Sequence, residues 1–149
     1  MNRKSLAALA VTLAAIAVNI AWLPDSAAQG TAQARTANRL VVQVTDGESQ
    51  RWNMALNNIR NLQAELGAEN VEVELVAYGP GINMLKADAT TANRIADAIK
   101  SGVKIVACEN SLKAMKLTKD DMHDQIGYVP AGVVEIMRKQ QEGWAYLRP

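Results

Sequence analysis

The sequence contains one cysteine, one histidine and four prolines among 149 residues. A single cysteine excludes an internal disulfide framework, because each bridge needs a second thiol. No further cysteine or histidine stands at metal-ligand spacing, so no metal site is predicted and His123 is expected at the surface. A spatial pairing of His123 with Cys108 is left open. We find no nucleotide, flavin or metal signature, and therefore expect no cofactor.

The chain also lacks an excess of charge of either sign. It has 16 basic and 15 acidic residues. If residues 1–28 are removed, two basic residues and Asp25 go with them, and the remaining chain has no net charge. Proteins that bind nucleic acid or an anionic membrane surface by electrostatics present a basic patch or a basic excess. We therefore expect no nucleic acid among the partners, and no membrane once the N-terminal segment is cleaved.

The N-terminal segment has the pattern of a secretion signal. Arg3 and Lys4 precede an uncharged segment from Leu6 to Leu23, and the small residues Ser26-Ala27-Ala28 follow. This order predicts a cleaved signal peptide over residues 1–28 and export to the periplasm. An uncleaved anchor is the alternative, because a segment of about 18 residues just spans a bilayer.

The rest of the chain is predicted to form one domain. Residues 29–38 are small and polar, which predicts a flexible N-terminal tail. From residue 39 to residue 149, short apolar runs alternate with amphipathic segments, without a repeat or a linker. Such alternation predicts a mostly parallel sheet covered by helices on both faces. The expected fold class is therefore α/β, a single small doubly wound domain over residues 39–149.

Two helices of this domain have features that a structure can test. The last helix is predicted to hold Pro130 in its first turn and to bury Val133, Ile136 and Met137. The first helix, which begins near Ser49, contains a cluster of asparagines that we interpret as a solvated face, with a ligand site as the alternative. These asparagines are Asn53, Asn57, Asn58 and Asn61.

The stretch around the cysteine has the clearest chemical potential. The β-branched run from Val103 to Ala107 predicts a buried strand, and Asn110-Ser111 predicts the start of a helix. Cys108 then lies at the carboxyl end of a strand, at the edge where open α/β sheets bind ligands. The helix N-terminus lowers a thiol pKa, whereas the neighbouring carboxylate of Glu109 is expected to oppose that. The alternative is that Cys108 is a buried core residue.

A glycine-rich turn follows the second predicted strand. Val71 to Tyr78 has the strand pattern, and Gly79-Pro80-Gly81 comes directly after it. Glycine allows the backbone to approach a ligand or another segment closely, because it has no Cβ. Gly79 and Gly81 are therefore predicted to line a ligand site.

Several segments of the predicted domain match a known family pattern. They are Ala55–Ile59 with Asn61-Leu62, Val76–Gly81, Ala107–Leu112, Val129–Val133, and Gln141–Tyr146 with the terminal Pro149. Together they resemble the DsrE/DsrF-like family of small sulfur-relay proteins, in the branch that has a secretion signal. The resemblance covers residues 39–149 and implies a flavodoxin-like sheet.

The resemblance also implies a function. The family cysteine holds sulfur as a persulfide, and Cys108 matches its position. Backbone N–H groups near Asn110 and Ser111 then stabilise the terminal sulfur anion. The implied partners are sulfur donor and acceptor proteins or small sulfane-sulfur compounds, and the implied assembly is a homo-oligomer, a trimer or a hexamer. A sulfur carrier is the expected function; a non-catalytic binding or assembly module with a structural Cys108, and a thiol-dependent sulfurtransferase, are the alternatives.

Overall fold

The computed structural model describes residues 38–149. The predicted signal peptide and residues 29–37 of the predicted tail lie outside the described residues, and Asn38 lies in the first strand rather than in that tail. The strands are β1 (Asn38–Val44), β2 (Val71–Ala77), β3 (Lys104–Cys108), β4 (Gly127–Val129) and β5 (Ala145–Leu147). The helices are α1 (Ser49–Leu66), α2 (Ala92–Lys100), α3 (Glu109–Ala114) and α4 (Gly132–Gln141). Within this range no helix is long and apolar enough to cross a membrane.

The five strands form one parallel sheet in the order β4-β3-β2-β1-β5. The chain moves outward from β1 to β4, and α4 then returns it across the sheet to β5 on the far side of β1. Because parallel crossovers are right-handed, this reversal of direction places α4 on the face opposite to the earlier helices. The predicted doubly wound α/β fold class is confirmed.

The sheet separates two apolar layers, because successive strand residues point to opposite faces. In the larger layer, alternate strand residues such as Val42, Leu75 and Ile105 pack with α1, α2 and α3. In the smaller layer, the intervening residues pack against Ile136 of α4 and against Trp144; they are Val41, Val76 and Val106. Among residues 38–149, one face of the sheet is thus covered by a single helix.

Helix α4 differs from its prediction in its start and in its buried face. It begins at Gly132, and Pro130 lies before the helix, where its carbonyl accepts a hydrogen bond from the first turn of α3 at 3.2 Å. Ile136 is buried, but Val133 is 57% exposed and Met137 is 50% exposed. The prediction for these two residues is wrong, because no second layer of the described chain covers the outer side of α4.

The prediction that His123 lies at the surface is wrong, because its side chain is only 12% exposed. Its ring Nδ1 accepts a hydrogen bond from the N–H of Gln125 at 3.2 Å, and its own N–H donates to the carbonyl of Leu85 at 2.8 Å. These bonds hold the histidine inside the connection between α3 and β4. The sequence did not indicate this, because the connection has no regular period.

The asparagines of α1 are divided between two environments. Asn57 and Asn61 are exposed, whereas Asn53 and Asn58 are half-buried. The side-chain oxygens of Asn53 and Asn57 accept hydrogen bonds from Arg94 of α2, at 2.8 Å for Asn57. The cluster is therefore only partly a solvated face, and part of it joins α1 to α2.

Candidate functional site

Cys108 lies at the end of β3 beside β4, and the helices that follow these two strands lie on opposite faces of the sheet. It is the last residue of β3, as the sequence predicted, and α3 begins directly after it, one residue earlier than Asn110. Helix α3 packs Leu112 into the larger layer, whereas α4, which follows the neighbouring strand β4, packs Ile136 into the smaller one. Adjacent strand ends with helices on opposite faces form the crevice in which open α/β sheets bind ligands.

Two helix N-termini converge on the Cys108 thiol. Backbone N–H groups of Asn110 and Ser111 reach it from the first turn of α3, and the N–H of Gly132 reaches it from the start of α4. Free N–H groups and the helix dipole both favour an anion at this position. The residue itself is only 5% exposed, and its Sγ lies 3.9 Å from the carbonyl oxygen of Pro130.

The balance of these surroundings favours the thiolate. Burial raises the pKa of Cys108 and is the largest single influence on it. Hydrogen bonds from the Ser111 hydroxyl and from the N–H groups of Gly132, Ser111 and Asn110 outweigh burial, so the thiol pKa lies below its ordinary value. The Asn110 contribution is the weakest of these, and the same N–H also donates to the Pro130 carbonyl at 3.2 Å.

The carboxylate of Glu109 does not prevent this lowering. The sequence led us to expect that it would oppose a lowered pKa at Cys108. In the structure Glu109 forms an ion pair with Lys119 at 3.2 Å. The ammonium of Lys119 balances the negative charge, and the hydrogen bonds at the thiol dominate.

Gly79 and Ser111 connect the loops that follow β2 and β3. The N–H of Gly79 donates to the Ser111 Oγ at 2.8 Å. The Ser111 hydroxyl accepts this bond through a lone pair and keeps its own proton for the hydrogen bond that lowers the pKa of Cys108. Gly79 has a φ of +52°, and an added Cβ would meet no atom within 4 Å. A glycine is therefore favoured here by backbone conformation rather than by space.

Gly81 is held close to this chain's own first strand. A Cβ at Gly81 would lie 2.3 Å from the carbonyl oxygen of Val44, and its N–H donates to the carbonyl of Thr45 at 3.1 Å. The close approach expected of this glycine is thus made by the end of β1. Its role in ligand binding stays a prediction.

The structure adds Gly132 and Tyr78 to the site, and neither was predicted from the sequence to belong to it. Gly132 supplies an N–H to the thiol, and the ring of Tyr78 packs so closely on Gly132 that a Cβ would lie 3.0 Å from it. Beyond Tyr78, the hydroxyl of Tyr146 donates to Gln43 at 2.7 Å along the same sheet edge. The sequence feature that could have indicated Gly132 is the segment Val129–Val133, because it is a second junction between a strand and a helix at this edge of the sheet.

The described residues offer no alternative centre based on metal or histidine. Within residues 38–149, no three His, Cys, Asp or Glu side chains lie close enough together to hold a metal ion. The His123 ring, which lies 3.3 Å from the Asp124 carboxylate and accepts the Gln125 N–H, is engaged with its own loop. The groups that lower the thiol pKa are those of the two helix N-termini.

The fold and the site define a class of small, all-parallel α/β proteins with one thiol at the carboxyl edge of the sheet. The model of the DsrE/DsrF-like family matches residues 20–149, and the chain belongs to that family. The family suggests a function related to sulfur relay. No curated protein matches the sequence.

Solved structures share the fold of this chain. The protein of unknown function MTH1491 from Methanobacterium thermoautotrophicum is 36% identical, with a TM-score of 0.71 over 74% of this chain and 98% of its own. The conserved protein of unknown function BT1422 from Bacteroides thetaiotaomicron is 14% identical, with a TM-score of 0.63 over 75% of this chain and 95% of its own. The ychN protein from E. coli is 11% identical, with a TM-score of 0.61 over 75% and 98%. The last two share the fold.

Proposed function

We propose that this protein is a periplasmic sulfur carrier that holds a sulfane sulfur on Cys108 as a persulfide. The observation that supports this is the convergence of the Ser111 hydroxyl and three backbone N–H groups on one thiol, which lowers its pKa. The thiolate is the nucleophile in thiol exchange, so a lowered pKa increases the reactive fraction at neutral pH. The same donors are suited to a persulfide, which is also anionic.

The loading and delivery steps balance without an oxidant. The Cys108 thiolate attacks the terminal sulfur of a polysulfide, a sulfur–sulfur bond breaks, and a polysulfide dianion one sulfur shorter leaves. The product is a cysteine persulfide anion. An acceptor thiolate then attacks the outer sulfur, takes it as its own persulfide, and restores the Cys108 thiolate. The donor and acceptor in this proposal are partner proteins or small sulfane-sulfur compounds.

Burial of Cys108 favours a second candidate function, a binding or assembly module with a structural cysteine. At 5% exposure the residue fits the usual behaviour of free cysteine in protein cores. In that case the sulfur serves only as an acceptor for N–H groups at the two helix starts. The two candidates differ in one property, which is access of a small reagent to the sulfur.

Intact-mass measurement after incubation with polysulfide tests the proposal. We expect a gain of one sulfur atom that dithiothreitol reverses and that Cys108→Ala does not show. Folded protein that gains no sulfur and also resists a small alkylating agent would establish the structural role. A rhodanese-type assay with thiosulfate and cyanide separates carriage from turnover, because a carrier shows no catalytic thiocyanate production.

The periplasmic part of the proposal has its own test. Protein recovered from the periplasm of an expressing cell is expected to have the mass of a chain that begins at Gln29. Retention of residues 1–28 would contradict it and would favour the membrane anchor.

A further inference from the structure

A concavity lies between α1 and α2, apart from Cys108. It has a volume of about 460 Å³, and small-molecule sites usually have roughly 300–1,000 Å³. Leu56, Ile59 and Ala98 form its apolar floor. None of the residues assigned to the thiol site borders it.

Two arginines line this cavity, Arg60 and Arg94. Arg94 is fixed in place by hydrogen bonds to the side-chain oxygens of Asn53 and Asn57. These partners are neutral amides, so they orient the guanidinium without compensating its charge. Among residues 38–149, no carboxylate lies within ion-pair distance of Arg60 or Arg94.

The other polar groups of the cavity are already engaged. Gln63 donates to the Ser101 carbonyl at 2.9 Å, and the Ser101 hydroxyl donates back to the Gln63 side chain at 3.0 Å. These two bonds brace α1 against α2, so the cavity is formed before any ligand arrives. Asp97 is the one acidic side chain in the lining, and it is 78% exposed and lies 4.0 Å from Lys100. Cationic groups in the lining therefore exceed anionic ones by one.

We propose that this cavity binds a small amphipathic monocarboxylate. The apolar body of the ligand lies on Leu56, Ile59 and Ala98, and its carboxylate is held between Arg60 and Arg94. A guanidinium has five N–H donors, so Arg94 keeps further N–H groups for a carboxylate while it donates to Asn53 and Asn57. The single excess positive charge matches one carboxylate. The volume corresponds to about fifteen water molecules at about 30 Å³ each, which is ample for an eight-carbon chain.

The test is calorimetric titration of the full-length protein with octanoate, with octanamide as the uncharged control of the same shape. Saturable octanoate binding is expected, with octanamide at least about tenfold weaker, because a tenfold change corresponds to about 1.4 kcal/mol and a hydrogen bond to a charged group contributes that much. Arg60→Gln and Arg94→Gln are each expected to weaken octanoate by about tenfold. Arg51→Gln, on the exposed side of the same helix, is the matched control and is expected to bind normally.

A cavity-filling variant keeps the test decisive if Arg94→Gln loosens the packing of the two helices. Ala98→Leu occupies the floor and is expected to abolish octanoate binding while thermal unfolding stays cooperative. Equal binding of octanamide, equal weakening by Arg51→Gln, or full binding by Ala98→Leu would each overturn the proposal. Absence of octanoate binding, together with resonances of α1 and α2 that shift with protein concentration, would overturn it in favour of a second copy covering the cavity.

Discussion

At the scale of single residues, the pKa of the Cys108 thiol depends on the balance between burial, which raises it, and hydrogen bonds, which lower it. Burial of Cys108 favours the neutral thiol, and so does the Pro130 carbonyl oxygen 3.9 Å from Sγ, because it accepts a hydrogen bond only from the protonated sulfur. The donors that oppose this come from two helices that only the folded sheet brings together. Ser111 is the strongest of them and is itself positioned by Gly79. The site is thus preorganised for an anion before any substrate binds.

Ser111→Ala is expected to raise the pKa of the Cys108 thiol, because it removes the side-chain hydrogen bond that lowers it most. The rate of alkylation by iodoacetamide follows the thiolate fraction, so its midpoint should move to higher pH and the rate at neutral pH should fall. Ser49→Ala, an exposed serine at the start of α1, is the control and should leave the profile unchanged. An unmoved midpoint in Ser111→Ala would show that the hydroxyl does not act on the sulfur.

The sequence predicted the part of this site that depends on local order. The apolar run before Cys108 and the helix-capping residues Asn110 and Ser111 after it place the thiol at a strand end without knowledge of the rest of the chain. The N–H of Gly132 could not be assigned to the thiol, because it depends on how β4 lies beside β3. The neutralisation of Glu109 by Lys119 depends on the same kind of tertiary contact.

At the scale of elements, α4 packs against the sheet above the buried carboxylate of Glu74 and its two lysine partners. Glu74 of β2 is completely buried and lies 2.9 Å from both Lys104 and Lys139. Burial raises the pKa of Glu74, but the two lysines outweigh it, so the pKa lies below its ordinary value. Burial, with a smaller contribution from neighbouring Glu74, raises the pKa of Glu135. Lys139 also lies 4.2 Å above the ring of Trp144, which adds a cation–π contact.

Glu74→Gln is expected to destabilise the fold by about 3–5 kcal/mol at neutral pH, because it leaves the largely buried ammonium of Lys139 without its main counter-charge. Since the folded-state pKa of Glu74 is lowered, its contribution is present above the unfolded-state pKa and is lost as pH falls through the folded-state pKa. The variant should therefore lose less stability than the wild type on acidification. Urea unfolding at a series of pH values measures both effects.

Glu72→Gln is the matched control, because Glu72 precedes Glu74 on the same face of β2 but is exposed. It is expected to change stability by less than about 0.5 kcal/mol. A Glu74→Gln protein as stable as this control would mean that the buried charges contribute no net stability to the docking of α4.

At the scale of the whole molecule, the sequence predicted a parallel sheet with its helices but not the order of the strands in the sheet. Strand and helix periods, with glycines such as Gly67 and Gly143 at helix ends, gave the alternation of elements and hence the parallel sheet. The order β4-β3-β2-β1-β5 depends on which strands pair, and no local pattern encodes that. The sequence predicted the apolar face of α4. Periodicity alone, however, does not distinguish a side chain that is buried in the core from one that is exposed on the same face of the helix.

The outer side of α4 is where we expect copies of the chain to associate. Val133 and Met137 are one helical turn apart and at least half exposed, and Tyr146 on the same face of the sheet is 43% exposed. Val133→Lys combined with Met137→Lys is expected to weaken association by more than tenfold, because each buried apolar side chain contributes about 1.5–3 kcal/mol. Light scattering across a concentration series should then report a lower mass than for the wild type. Met54→Lys, at a 39% exposed methionine on α1, is the control and should keep the wild-type mass. A wild-type protein that is already monomeric, or a double variant that assembles normally, would remove this face as the interface.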